Sequence, residues 1–267
     1  MPLKISKDKL QYSRDEIINF IRSYFNDSGL EGALVALSGG IDSALVATLG
    51  YEALGDKLSA LILPEEGSNL ERDLVDAQQL AESLGIRYEI VPINSALDSI
   101  KNCYPRIEKP SEKQKIAWGN VKARVRMIIN YISSNLDDKL LLGTGNKTEI
   151  LLGYFTKHGD GGVDILPIGD LYKTQVKQLA QFIELDEGIV NKPPSAGLWG
   201  GQTDEDDLGA SYVTLDTILY NFIHEKKTIP EISNKFNINE EFVKDISSRI
   251  EKNKHKSISP PIVKLFD

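Results

Sequence analysis

The chain has 267 residues and a mass of 29.6 kDa, with 41% hydrophobic and 26% charged residues, a globular composition that excludes a disordered or low-complexity protein. Lys and Arg total 31 against 39 Asp and Glu, a net charge of -8 and a pI near 5.1, so no global basic field exists to hold a nucleic-acid backbone, although a local cluster can still hold a small charged substrate. Cys103 is the only cysteine, which rules out an intramolecular disulfide and a multi-thiolate zinc site and suits a reducing, cytoplasmic setting. The N-terminus MPLKISKDKL lacks a signal-peptide apolar core, and no uncharged apolar run approaches the ~20 residues of a membrane span, so neither secretion nor membrane insertion is expected.

In chain order, Arg14 to Phe25 reads as a helix, with Ile17, Ile18, Ile21 and Phe25 at helical spacing behind Ser13 as N-cap. Ala33 to Leu37 is an unbroken apolar run that stops at Ser38-Gly39-Gly40, the pattern of a strand buried on both faces that ends in a tight turn. A helix over Asp42 to Leu54, ended by Gly55, follows. Leu58 to Leu63 reads as a strand, Asn69 to Leu84 as a helix closed by Gly85, and Arg87 to Pro92 as a strand. Lys113 to Leu136 carries Val121, Val125, Ile128 and Ile132 on one helical stripe, and Lys139 to Leu142 is a strand ending at Gly143-Thr144-Gly145.

Strands alternating with long helices require right-handed crossovers, so the expected class is α/β, a doubly wound parallel sheet flanked by helices. Beyond about residue 150 the pattern loosens. Gly153 to Gly169 and Asn191 to Leu208 read as irregular functional loops around a helix over Tyr172 to Ile183. Within the first, Lys157 to Gly162 has too little apolar content to pack and is expected to be mobile. Ser211 to Glu251 reads as two or three helices, one starting at Ile229-Pro230 with proline near its first position. No linker or internal repeat divides the chain, and residues 1–267 are expected to form a single domain.

Open parallel sheets bind ligands outside the carboxyl ends of their strands, where Ser38 to Ser43 and Gly143 to Glu149 fall. Ser38-Gly39-Gly40-Ile41-Asp42-Ser43 places two glycines and two hydroxyls between a buried strand and a helix N-terminus, where unpaired N–H groups and the helix dipole favour a phosphate. Asp42 would repel that phosphate unless a divalent cation lay between them, which makes it a candidate Mg2+ ligand. The same spacing also fits a plain strand-to-helix turn with Asp or Ser as caps. Neither G-x-x-x-x-G-K-[ST] nor G-x-G-x-x-G after a strand is present, against a Walker-type phosphotransferase and a dinucleotide dehydrogenase.

S-G-G-x-D-S after the first strand resembles the pyrophosphate loop of the N-type ATP pyrophosphatases, which split ATP into AMP and pyrophosphate. That loop alone leaves GMP synthetases, asparagine synthetases and tRNA-modifying enzymes open. Further blocks narrow the choice: Gly143-Thr144-Gly145-Asn146-Lys147-Thr148-Glu149, Gly153 to Asp164, Leu166-Pro167-Ile168-Gly169-Asp170-Leu171-Tyr172-Lys173, Lys192-Pro193-Pro194-Ser195-Ala196 and Lys254-His255-Lys256. Together they resemble the ammonia-dependent NAD synthetase family over most of residues 30–260.

The resemblance implies a Rossmann-like, adenine nucleotide α-hydrolase-like fold and ATP-dependent amidation of deamido-NAD by ammonia, giving NAD, AMP and pyrophosphate. It implies ATP contacts at Ala36, Leu37, Ser38, Gly39, Gly40, Ile41, Asp42, Ser43, Thr144, Lys173 and Ser195. It places Mg2+ on Asp42 and Glu149, and deamido-NAD on Arg124, Lys157, Asp164, His255 and Lys256. It also implies a homodimer and no protein nucleophile. Asn146-x-x-Glu149 equally has the spacing of a helix capping box. For Arg124 the helical wheel adds an argument, since it lies about 60° from the Val121/Val125/Ile128 stripe whereas Arg126 falls on the opposite face. No glutaminase nucleophile is recognisable, so ammonia is expected free or from a separate donor protein. Pro64-Glu65-Glu66-Gly67 departs from the family pattern, which more often has small polar residues after the proline, and no ATP contact is assigned there. Another AMP-forming synthetase with the same loop, or a non-catalytic ATP-binding module, are the rival readings.

Overall fold

The computed structural model describes residues 3–66, 71–108 and 111–265. Four strands, β1 (Gly32–Ala36), β2 (Leu58–Ile62), β3 (Arg87–Ile90) and β4 (Lys139–Leu142), form a parallel sheet in the order β3-β2-β1-β4. Val35 is in register with Ala60 on one side and Leu142 on the other. The early helices are α1 (Lys7–Ser28), α2 (Ile41–Leu54), α3 (Glu71–Leu84), α4 (Asn94–Cys103) and α5 (Glu112–Leu136). After β4 come α6 (Lys147–Leu152), α7 (Lys173–Phe182), α8 (Glu187–Val190), α9 (Asp204–Leu208), α10 (Tyr212–Ile223), α11 (Ile229–Phe236) and α12 (Glu240–Asn253).

The side-chain alternation of a strand explains why both faces are covered. Ala33, Val35, Ala60, Ile62, Leu140 and Leu142 point into a core shared with α1, α2, α3 and α7. Leu34, Leu61 and Leu141 point the other way, onto Ile93, Leu97 and Val125 of the α4–α5 side. A further apolar cluster joins Leu152 and Tyr172 to α10, α11 and α12. The expected doubly wound α/β class is therefore observed.

Chain order then places the site. The chain winds outward from β1 to β2 to β3, and crosses back through α5 to set β4 on the other side of β1. Such a reversal opens a crevice at the carboxyl ends of the two central strands. The loops that follow β1 and β4, residues 37–40 and 143–146, face each other across it.

Several boundaries differ from expectation. Helix α1 begins at Lys7 with Ser6 as its cap, accepting from Lys9 N at 3.4 Å, while Ser13 lies inside the helix and donates to Lys9 O at 2.8 Å. The buried stripe starts a turn earlier, at Leu10, so Ser13 is an ordinary internal serine. Helix α4 escapes pattern reading because Leu97 is its one buried residue. The first residues of the helix expected from Asn69 lie outside the described residues. The segment 157–162, expected to be mobile for want of apolar side chains, is tightly built. Thr156 N donates to Asp160 at 2.8 Å, Thr156 Oγ1 to Asn120 at 2.7 Å, and Gly159 N to Thr156 O at 2.9 Å. Glycine permits this closeness, since a Cβ on Gly161 would lie 2.6 Å from the Phe155 ring and one on Gly159 2.8 Å from Thr156.

Candidate active site

The turn after β1 is built by its own hydroxyls. Ser43 Oγ accepts from Ser38 N at 3.2 Å and donates to Gly40 O at 3.0 Å, and Ser38 Oγ accepts from Gly40 N at 3.3 Å. No side chain caps α2 at Gly40, so the N-terminal turn of this 14-residue helix is presented to the crevice as an anion nest. Gly39 has φ +77°, and a Cβ there would stand 2.3 Å from the backbone oxygen of Asp73 in α3. The glycine is needed both for its conformation and for that approach.

Across the crevice, the β4 loop delivers α6 with a complete capping box: Asn146 Oδ1 accepts from Glu149 N at 3.0 Å and Glu149 Oε2 from Asn146 N at 3.3 Å. The capping reading of Glu149 is thus correct. It is also incomplete, because the same carboxylate lies 3.7 Å from Lys173 Nζ, which is ion-paired to Asp42. Asn146 Nδ2 donates to Asp42 Oδ1 at 3.0 Å, so the cap of α6 also orients the acid of α2. Lys173 opens α7, where its backbone N–H donates to Thr148 Oγ1 at 3.0 Å.

Two acids from different helices thereby converge on one buried ammonium. Burial and the neighbouring Asp42 charge push the Glu149 carboxyl up to about 8, although Lys173 pulls it down. Burial works against the Lys173 charge, but Asp42 and Glu149 outweigh it and hold the ammonium above the ordinary lysine range. The lysine also lies 5.2 Å from the centre of the Tyr212 ring, whose hydroxyl donates to Asp204 at 2.8 Å. Burial raises the Asp204 carboxyl too. A pocket this acidic calls for additional positive charge.

The nest and the acids open into a cavity of about 1350 Å³. Ala36, Leu37, Ser38, Gly40, Ile41, Asp42, Ser43, Thr144, Glu149, Lys173 and Ser195 line it, and Gly39 lies between lining residues. Of the residues expected to hold the second substrate, Lys256 alone lines the cavity, its ammonium donating to Gly153 O at 2.6 Å and Phe155 O at 3.0 Å. Arg124, Lys157 and His255 instead form a chain on the outer surface: Arg124 Nη2 donates to Lys157 O at 3.2 Å, and Lys157 Nζ to His255 O at 2.8 Å. Asp164 accepts from Tyr131 OH at 2.9 Å and Leu141 N at 2.8 Å and faces a separate shallow depression beside Tyr24, Tyr131 and Lys139.

Helix α5 presents a different face from the one its apolar stripe predicts beyond Val125. Ile128 and Ile132 are more than half exposed, and the buried positions are Gly119, Lys122, Ala123, Val125, Asn130 and Ser134. Arg126, expected to face away, lines the cavity and donates from Nε to Leu63 O at 3.0 Å, while Arg124 is exposed. Val121, Val125 and Ile129 do pack on the sheet, but the rest of the expected stripe, Ile128 and Ile132, faces outward, and the polar Lys122, Asn130 and Ser134 are buried in its place. Asp204, Tyr212 and Lys122 are not announced by the sequence, and Lys192 enters it only within a block of the family resemblance, without a role of its own. The one available signal was the i, i+4 spacing of Lys122 with Arg126 and of Arg126 with Asn130.

A doubly wound sheet whose glycine nest and paired acids share one large cleft at the topological switch defines a Rossmann-like protein of the adenine nucleotide α-hydrolase fold. The profile of the family described as NAD synthase matches residues 13–260. The NH(3)-dependent NAD(+) synthetase of Archaeoglobus fulgidus is 44% identical over 254 residues, covering 95% of this chain and 96% of that one. Two solved structures superpose over 98% of this chain and 100% of their own: an NMN synthetase from Francisella tularensis (30% identity, TM-score 0.82) and an NH3-dependent NAD synthetase from Campylobacter jejuni (31%, TM-score 0.80). The chain belongs to the NAD synthase family.

Proposed function

We propose that the chain amidates deamido-NAD with ammonia at the expense of ATP, as a cytoplasmic homodimer. The convergence of Asp42, Glu149 and Lys173 on the rim of the Gly39 nest carries this reading. A carboxylate resists amide formation because oxide is a poor leaving group. The nicotinate oxygen therefore attacks the α-phosphorus of ATP, the bond to the β-phosphate oxygen breaks, and pyrophosphate leaves with that electron pair. Ammonia then adds to the carbonyl of the mixed anhydride, AMP departs, and a proton is lost from nitrogen. No protein nucleophile is needed. The nest N–H groups and Lys173 stabilise the charge that accumulates on the departing pyrophosphate, and the cavity walls hold the reactants in line.

The donor set fits Mg2+. Asp42 and Glu149 are hard oxygen ligands that converge on one point, and burial together with the Asp42 charge holds the Glu149 carboxyl above its ordinary range, a repulsion that a cation would relieve. Among the described residues no group of three or more His, Cys, Asp or Glu could hold a metal. Two carboxylates completed by phosphate oxygens and water are the usual requirement of this ion. When bound, it would supply charge neutralisation on the pyrophosphate.

The positions of Arg124, Lys157, Asp164 and His255 support a site completed by a second subunit, since they stand outside the cavity of their own chain. Next to them the outer face of α5 exposes Ile128, Ile132 and Leu136, and α1 exposes Phe20 and Tyr24. An apolar stripe of this kind favours burial against another copy. Among the described residues no helix is long and apolar enough to cross a membrane.

Incubation with ATP, Mg2+, ammonium and either deamido-NAD or nicotinate mononucleotide tests the proposal. NAD and AMP formed from the dinucleotide support it. Turnover of the mononucleotide alone assigns the activity named for the Francisella neighbour, and AMP release that needs a different acceptor, or ATP binding without turnover, overturns it.

A further inference from the structure

Two lysines outside the roles just described, the half-buried Lys192 and the buried Lys122, tie the cavity's roof together. Lys192 Nζ donates to Gly39 O at 2.9 Å and pairs with Asp73 at 2.7 Å and Asp76 at 2.5 Å, fixing the start of the irregular segment 192–203 to the nest and to α3. Lys122, whose side chain is 8% exposed on α5, pairs with Glu65 at 2.6 Å and donates to Leu198 O at 2.7 Å. Glu65 is itself placed by the next residue, since Glu66 N donates to Asn94 Oδ1 at 2.8 Å and Glu66 O accepts from Asn94 Nδ2 at 3.1 Å.

The seat for Leu198 is also built. Gly119, one turn before Lys122, leaves room for Leu198 and Trp199, which would meet a Cβ there at 3.1 and 3.2 Å. Beyond it, Leu198 N donates to Gln202 Oε1 at 2.8 Å, and Gln202 Nε2 to Asp207 at 2.8 Å. Ser195, the expected ATP contact, is suspended between the Lys192 and Lys122 anchors. A buried ammonium needs a counter-charge, so the hold of Lys122 on the Leu198 carbonyl depends on Glu65 neutralising that lysine.

We propose that Glu65 and Lys122 are positioning residues, a latch that holds segment 193–198, and with it Ser195, over the cavity and thereby sets the affinity for ATP. The affinity clause rests on the ATP reading of the cavity; the latch itself does not. The pair joins three stretches distant in sequence, the exit of β2, the cavity face of α5 and the segment after α8, so neutralising one partner loosens the roof without removing any group from the nest.

Hydrogen exchange on the full chain without nucleotide, read at Gly197, Leu198 and Gln202, tests this together with steady-state kinetics. In Glu65→Gln, exchange at these amides should rise about tenfold while the amides of α10 stay unchanged, the signature of local rather than global opening. KM for ATP should rise about fivefold to tenfold with kcat within about twofold, and the Glu65→Gln, Lys122→Met double variant should be no worse than the poorer single one, as expected for coupled partners. Unchanged exchange in Glu65→Gln, an equal rise in α10, or additive effects in the double variant would overturn the latch. Accelerated exchange in a protein whose wild type binds no ATP would uphold the latch and remove the nucleotide reading instead.

Discussion

Gly39→Ala probes the point on which the site is built. The residue has φ +77°, and an added Cβ would lie 2.3, 2.8 and 2.9 Å from O, Cα and C of Asp73. The left-handed conformation costs an L-residue roughly 1–2 kcal/mol. Ordinary contact begins at 3.4 Å, so the oxygen must also retreat by about 1 Å, and overpacking of this kind costs typically about 1–3 kcal/mol. The clash cannot be relieved by a side-chain rotation, because the atoms met are helix backbone anchored through Lys192 to Asp73 and Asp76. The sum of about 2–5 kcal/mol is a substantial part of a domain's usual stability of about 5–15 kcal/mol. At about 2–4 °C per kcal/mol for a chain near this size, melting should fall by about 4–20 °C. Relief by moving the turn breaks the Lys192 bond to Gly39 O and splays the nest, so ATP affinity should fall by about 100-fold through lost anion contacts. Thermal unfolding and titration calorimetry with ATP measure both effects. Gly40→Ala is the control, since φ there is -94° and the nearest atom to a Cβ is Ser38 Oγ at 3.3 Å. A Gly39→Ala protein that melts like wild type and binds ATP equally well would refute the reasoning.

Asp42→Asn should lower turnover by about 100-fold or more while circular dichroism stays native, because the electrostatic clamp is lost and the hydrogen bond from Asn146 can be kept; near-normal rates at saturating Mg2+ would exclude the metal role. Ile128→Asp with Ile132→Asp should give a monomer in sedimentation velocity and little turnover, since each buried isoleucine is worth about 1.5–3 kcal/mol to an interface; a monomeric wild type, or a fully active monomeric variant, would exclude the shared site. Asp216→Asn tests a buried acid away from the cavity. Burial raises its carboxyl, against hydrogen bonds from Thr148 Oγ1 at 2.5 Å and Thr174 N at 2.8 Å. Because the folded value lies above the unfolded one, Asp216 contributes stability that is present below 3.8 and lost as pH rises through the folded value. The asparagine variant lacks that loss, so in urea titrations its deficit against wild type should shrink between pH 4 and pH 8; a deficit that grows with pH would contradict the assignment.

The fold was largely legible because burial on both faces leaves a plain mark. Val35 and Leu34 point into different cores, so β1 must be apolar at every position, and the same holds for β2 except Ser59, which donates to Ala33 O, and for β4 beyond Lys139. The glycine that ends such a strand marks a turn, and the long helices between strands mark parallel crossovers, whereas the return of β4 to the far side of β1 is visible only in the structure. Less legible were elements whose stability does not come from apolar burial: α4, with Leu97 alone buried, and the turn cluster around Gly159, closed by backbone bonds and by the absence of side chains.

The site divides along the same physical line. The nest residues and Asp42 are adjacent in sequence, so their local pattern carries their geometry. Glu149 and Lys173 are reached through α6 and α7, and the resemblance rather than any spacing brought them in. Asp204 and Tyr212 complete the surroundings of Lys173 from α9 and α10, and no local pattern announces a partner that far along the chain. Helix α5 is the instructive failure. Hydrophobic periodicity assumes that the apolar stripe faces inward, which holds when a helix covers an apolar core. Here α5 covers the core with Val121, Val125 and Ile129, turns Ala123, Arg126 and Asn130 to the cavity and buries Lys122, and faces Ile128 and Ile132 outward. A helix that borders a cleft on one side of its core contact needs polar residues there, so an apolar stripe flanked by basic residues at i, i+4 spacing, as Lys122 and Arg126 are, is read correctly only where it meets the sheet, and its remaining isoleucines are candidates for an interface.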